Sequence, residues 1–96
     1  MKPRTRFEDY CARGRAQHGD RFQAPTDMRW INAYNNGRDY RVKVRFSHGE
    51  EKWGFVALTT GWGPSFMLMR REGQHGSSDL LGDRDEIVAH KMKGQR

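Results

Sequence analysis

A chain of 96 residues has room for one hydrophobic core, so we expect a single small domain with or without tails. Hydrophobic residues make up 34% of it and charged residues 31%, and no apolar run reaches the ~18 residues of a membrane span. We therefore expect no membrane association and no secretory signal. The single cysteine, Cys11, excludes an internal disulfide and a zinc site built from thiolates alone. These features predict a small, soluble, cytoplasmic protein.

The positive charge of the chain lies in its first half. The net charge is +6, and residues 1–49 contribute all of it, with eleven Lys and Arg against five Asp and Glu. The second half carries seven of each. A basic half of this kind is typical of proteins that bind nucleic acid or an acidic protein surface, although a basic protein with no such ligand has the same composition.

The first 27 residues predict a basic segment that contains one short helix. Thr5 and Glu8 have the spacing of a capping box, which marks the start of a helix. Apolar residues then follow at helical spacing: Phe7, Tyr10 and Cys11. Gly14 is typical of a helix end. We predict a helix at about residues 6–13, followed by an irregular linker.

The strongest pattern in the chain is the alternation in residues 40–47. Four apolar side chains alternate there with four polar ones, three of which are cations: Tyr40, Val42, Val44 and Phe46 against Arg41, Lys43, Arg45 and Ser47. A period of two predicts a half-buried strand with one apolar and one cationic face. Asn36 and Gly37 favour a hairpin turn before it, which makes residues 28–34 a partner strand. A short helix after Pro25 and Thr26 is the alternative for that segment.

The rest of the chain predicts further short strands separated by turns. We expect strands at residues 52–60, 65–71 and 86–90, the second buried on both faces, with a break at residues 72–76. Residues 77–82 suit one helical turn. The whole is mainly β, a small barrel or rolled antiparallel sheet of four to five short strands with a short N-terminal helix. The strand order over residues 28–91 resembles that of SH3-like small barrels, and residues 92–96 form a basic tail.

The sequence offers no constellation that favours catalysis or metal binding. Cys11 and His18 are the one Cys/His pair close in sequence, and Cys11 falls on the apolar face of the predicted helix. The other histidines do not have the sequence spacing that is typical of metal ligands. The acidic residues at 79, 83, 85 and 86 lack the pattern of a calcium loop. We predict a binding domain that is not an enzyme and needs no cofactor or metal.

Cations and tryptophans are the candidate binding residues. Arg41, Lys43 and Arg45 repeat every 6.6–6.8 Å along an ideal strand, which is near the spacing of phosphates in an extended single strand. The predicted contacts to nucleic acid, made without sequence specificity, are Arg38, Arg41, Lys43, Arg45, Lys52 and Arg70. The predicted anchors for a protein partner are Trp30, Trp53 and Trp62. Trp62 stands between two glycines, where it either anchors a partner or plugs one end of the barrel. A homo-oligomer that pairs through open strand edges is a third option.

Overall fold

The computed structural model describes residues 4–70 and 78–92. Two helices come first: α1, Arg6–His18, continued by a 3₁₀ turn at Gly19–Arg21, and α2, Met28–Asn35. Five strands follow: β1, Tyr40–Arg45; β2, Glu51–Leu58; β3, Phe66–Met69; β4, Ser78–Leu80; and β5, Glu86–Met92. None of the described helices is long and apolar enough to cross a bilayer. The predicted break at residues 72–76 and most of the basic tail lie outside the described residues.

The five strands form one antiparallel sheet in the order β4-β3-β2-β1-β5, which confirms a mainly β fold. The first half of β2 pairs with β1 and its second half with β3. No pairing joins β4 to β5 in the described part of the chain, so the sheet is open and closure into a barrel stays a prediction. The register of β5 against β1 shifts between Lys43 and Val44, which places a bulge on that edge.

Gly54 occupies the point where β2 changes partner. A Cβ atom there would lie 2.5 Å from the carbonyl oxygen of Met69 and 2.8 Å from Cγ of Leu68. Since the nearest obstacle is backbone, no side-chain rotation relieves the contact. A residue without a side chain therefore lets β3 approach β2 closely.

The predicted N-terminal helix is confirmed, but it is longer than expected. Thr5 and Glu8 make the capping box, with the Glu8 amide 3.1 Å from the Thr5 hydroxyl. The helix passes Gly14 and ends at Gly19, whose φ is +61°. A glycine at position 14 instead allows close packing, because the ring of Phe22 occupies the space that a Cβ atom of residue 14 would take. The prediction of a helix end at Gly14 is therefore wrong.

Residues 28–34 form the helix α2, so the predicted partner strand is wrong and the alternative is confirmed. The Asp27 side chain caps the helix by accepting from the Arg29 amide at 3.0 Å. Four residues of the helix are buried at helical spacing: Trp30, Ile31, Ala33 and Tyr34. Gly37, with φ +89°, then turns the chain from helix to strand instead of closing a hairpin.

Two further expectations for the second half need correction. Within the expected helical turn at residues 77–82, Ser78–Leu80 instead forms the strand β4, which pairs with β3 through Met67↔Leu80 and Met69↔Ser78. Burial alternates along β3, so Met67 and Met69 are half-buried on one face while Phe66 and Leu68 are buried on the other. The strand is therefore not buried on both faces.

The core lies between the helices and one face of the sheet. Its buried members from the sheet are Val42, Val44, Phe46, Val56, Phe66 and Leu68, and α2 supplies the four buried residues given above. Helix α1 packs on the same cluster through Phe7 and Tyr10. It is held there by the Arg6 guanidinium, which donates to the Tyr34 carbonyl at 2.6 Å, and by the Tyr10 hydroxyl, which donates to the Thr59 carbonyl. Both helices thus cover the same side of the sheet.

Candidate nucleic-acid interface

The sheet face turned away from the helices, here called the outer face, carries the alternate residues of β1. Val42 and Val44 are fully buried against the helices, so Arg41, Lys43 and Arg45 point the other way. The strand pairing extends this face onto β2 and β5. Two rows of paired residues cross β2, β1 and β5 in that order: Glu51, Arg45 and Glu86, and next to them Trp53, Lys43 and Ala89. In the third row, Arg41 of β1 pairs with Lys91 of β5 and lies over the ring of Phe55 in β2.

One end of the outer face is electrically balanced. Glu51 accepts from Arg45 Nε at 2.9 Å and lies 3.2 Å from Lys43 Nζ. The hydrogen bond from Arg45, followed by that from Lys43, lowers the pKa of the Glu51 carboxyl below its ordinary value. All three side chains are solvent-exposed, so these pairs hold the cations only weakly.

The other end of the outer face holds two cations that pair with no carboxylate in residues 4–70 and 78–92. The Arg41 guanidinium lies 5.2 Å from the centroid of the Phe55 ring and donates to the Arg70 carbonyl at 3.0 Å. The Lys91 ammonium lies 4.6 Å from the centroid of the Trp53 ring. Within residues 4–70 and 78–92, no Asp or Glu forms an ion pair with Arg41 or Lys91. No carboxylate of the described residues therefore offsets these two charges.

Trp53 brings a flat apolar surface into this cationic end. It pairs directly with Lys43 across β2 and β1, and 39% of its surface is exposed. From sequence, Trp53 is a predicted anchor for a protein partner, and Lys91 is not among the predicted binding residues. The signal for Lys91 was weak, because its position beside Trp53 follows only from the pairing of β5 with β1.

The structure does not bring every predicted cation to the outer face. Lys52 pairs with the buried Val44, so it lies on the opposite face, and its ammonium is 3.4 Å from Asp79. Arg70 donates to the same carboxylate at 3.2 Å. Asp79 itself pairs with the buried Leu68. These two cations therefore form an ion-pair cluster apart from the outer face. Arg38 is exposed in the turn before β1.

The three tryptophans have different environments. Trp30 is 2% exposed inside the core, so it is not available as a partner anchor and that prediction is wrong. Trp62 is 55% exposed, which excludes the alternative that it plugs the fold. Its carbonyl accepts from the Gln23 amide at 2.7 Å, and its side chain lines a shallow cleft with Arg21 and Gln23.

The residues considered above for catalysis or metal binding are buried, far from one another or engaged in structural hydrogen bonds. Cys11 is 4% exposed, and burial raises the pKa of its thiol, which keeps it protonated. His18 is seven residues further along α1, so its Cα lies about 10 Å along the helix axis from that of Cys11. The buried Asp85 accepts from the amides of Ser47 and Gly82 at 3.0 and 2.7 Å. No group of three or more His, Cys, Asp or Glu in the described ranges could hold a metal ion.

Comparisons of the chain with known protein families, with curated proteins and with solved structures found no match.

Proposed function

We propose that this protein is a cytoplasmic, non-enzymatic domain related to the SH3-like barrels, and that it binds nucleic acid through the phosphate backbone without sequence specificity. One observation carries the proposal. Arg41, Lys43 and Lys91 share the outer face with an exposed tryptophan, and no carboxylate in the described residues pairs with Arg41 or Lys91. Cations spaced at strand intervals beside a flat ring suit a phosphate chain that carries bases.

The charge of the whole chain supports the same ligand. A net charge of +6 attracts a polyanion at long range, and the cations of the outer face would release counterions when phosphates replace them. Three contacts to a single strand predict that the logarithm of affinity falls with the logarithm of salt at a slope of about −2. Affinity should then drop about 20-fold between 50 and 200 mM salt.

Fluorescence anisotropy with labelled single-stranded and duplex DNA and RNA tests the proposal directly. The full chain is titrated at 50 and 200 mM salt, and we expect binding at the lower concentration with the stated salt dependence. Absence of binding to every probe at 50 mM salt contradicts the proposal.

A pair of variants that lose the same charge localises the site. Lys91→Gln removes a cation from the outer face, whereas Arg13→Gln removes one from α1 on the other side of the sheet, where it pairs with Asp9. We expect the Lys91 variant to bind more weakly, with a salt slope shallower by about 0.7, and the Arg13 variant to bind like the wild type. Equal losses in the two variants would mean that net charge, and not the outer face, governs binding.

Docking on an acidic protein surface is the second candidate function, favoured by the exposure of Trp62. An indole that is 55% exposed in a loop beside Arg21 is a typical anchor of an interface. The variant Trp62→Ala separates the two functions. Loss of a protein partner with unchanged affinity for nucleic acid would favour the docking function.

Self-association through strand edges is tested separately by light scattering of the full chain. The edge strand β5 has seven residues and exposes Val88 and Met92. Its bulge hinders pairing with another strand, so we expect a monomer.

A further inference from the structure

The outer face holds an exposed aromatic ring where a nucleic-acid base, and not only a phosphate, can make contact. We infer that the nucleic acid recognised here is single-stranded, with one unpaired base stacked on Trp53 and its neighbouring phosphates bound by Arg41, Lys43 and Lys91. The inference rests on the proposed function and names the class of nucleic acid that the same face takes.

The shape of the outer face favours a single strand over a duplex. Both helices pack on the opposite side of the sheet, so neither can enter a major groove from this side. The bases of a duplex are already stacked on one another, so the Trp53 ring on the outer face could contact only their edges or the backbone. An unpaired base offers its whole face to the ring, and every base has such a face.

Three cations lie on the β1 and β5 side of Trp53, at strand intervals that suit the phosphates of one single strand. Lys43 pairs directly with Trp53 on the neighbouring strand, so their Cα atoms are separated by about 5 Å. Arg41 lies two residues further along β1, about 6.8 Å away. Lys91 pairs with Arg41 from the other side. A chain that crosses β1 beside the ring meets Lys43 first and then Arg41 or Lys91.

In the free protein, the Lys91 side chain covers part of the Trp53 ring and can be displaced by a base. Its ammonium rests over the Trp53 ring at 4.6 Å in the free protein. A cation–π contact at an exposed ring is weaker than the stacking of a base on the same ring, so an incoming base displaces the ammonium. The lysine side chain is flexible and then reaches a phosphate next to that base.

Tryptophan fluorescence reports stacking on Trp53 directly. In a Trp62→Phe background the remaining tryptophans are Trp53 and the buried Trp30. We expect ten-residue thymine and uracil oligonucleotides to quench the emission, and a duplex of equal length to leave it nearly unchanged. In the double variant Trp53→Phe/Trp62→Phe, only Trp30 emits, and quenching should be lost.

Affinity measurements separate stacking from charge. Trp53→Ala should weaken single-strand binding by at least about fivefold while leaving the salt slope unchanged, because no cation is removed. Trp53→Phe should retain most of the affinity, since a flat ring is kept, which also guards against a folding defect in the alanine variant. Trp62→Ala, the matched loss of another exposed tryptophan, should bind like the wild type.

The outcomes distinguish the two proposals. Duplex binding as tight as single-strand binding, or no quenching of Trp53 by bound oligonucleotides, overturns the inference while the proposed function stands. Failure to bind any nucleic acid at 50 mM salt overturns the proposed function and the inference with it.

Discussion

Removal of the Glu51 carboxylate should strengthen nucleic-acid binding. Glu51 neutralises part of the outer face, because it pairs with Lys43 at 3.2 Å and with Arg45 at 2.9 Å. The variant Glu51→Gln keeps the size of the side chain and one of its two acceptor oxygens, and it removes the charge. Both cations are then free to bind phosphate. Since the pairs are exposed, the stability of the fold should change little.

The size of the gain follows from the distances. A phosphate bound to Lys43 would lie about 6 to 7 Å from the Glu51 carboxylate, and the screened repulsion between two unit charges in water at that distance corresponds to about twofold in affinity. Lys43 is already one of the three phosphate contacts in the wild type, so the release of Arg45 adds at most one more. That contact should make the salt slope steeper by about 0.7.

Anisotropy titrations of the wild type and the variant with a thymine oligonucleotide, at four salt concentrations, measure both quantities. The matched control is Asp9→Asn, which removes an exposed carboxylate that pairs with Arg13 on α1. We expect tighter binding and a steeper slope for the Glu51 variant alone. If the two variants gain equally, the change reflects net charge, and if Glu51→Gln binds no better than the wild type, Lys43 and Arg45 do not contact the ligand.

Two further predictions concern the fold. Gly54→Ala should destabilise the protein by about 1–3 kcal/mol in urea denaturation, because the new Cβ would lie 2.5 Å from the Met69 carbonyl oxygen. The control is Gly63→Ala, whose Cβ would have no neighbouring atom within 4 Å and which should change stability by less than about 0.5 kcal/mol. Asp27→Ala should cost about 0.5–2 kcal/mol at pH 7 through loss of the α2 cap. Hydrogen bonds from Arg29 lower the pKa of Asp27 below 3.8, so this contribution is complete above that value and is lost as pH falls through the depressed pKa. A cost that is the same at pH 7 and at about pH 2 would contradict the assigned role of the carboxylate.

Local patterns in the sequence were sufficient for some elements. The alternation from Tyr40 to Phe46 predicted β1 and the direction of its cations, because a strand sends successive side chains to opposite faces. The capping box at Thr5 and Glu8 predicted the start of α1, because its hydrogen bonds join residues three apart. Both signals depend only on neighbours in the chain.

Other elements depended on contacts between distant residues. In residues 28–34, polar and apolar residues suit either a strand or a helix, and burial of Trp30 and Tyr34 against the sheet selects the helix. β4 is three residues long and exists through its pairing with β3. The pairing of β5 with β1 brings Lys91 to Trp53, from 38 residues further along the chain. The sequence alone determined to which face of the sheet the cations of β1 point. Tertiary structure decided which of these cations are neutralised and which side chains lie beside them. The reason is that ion pairs and ring contacts form between neighbouring strands, and local sequence does not specify which strands are neighbours.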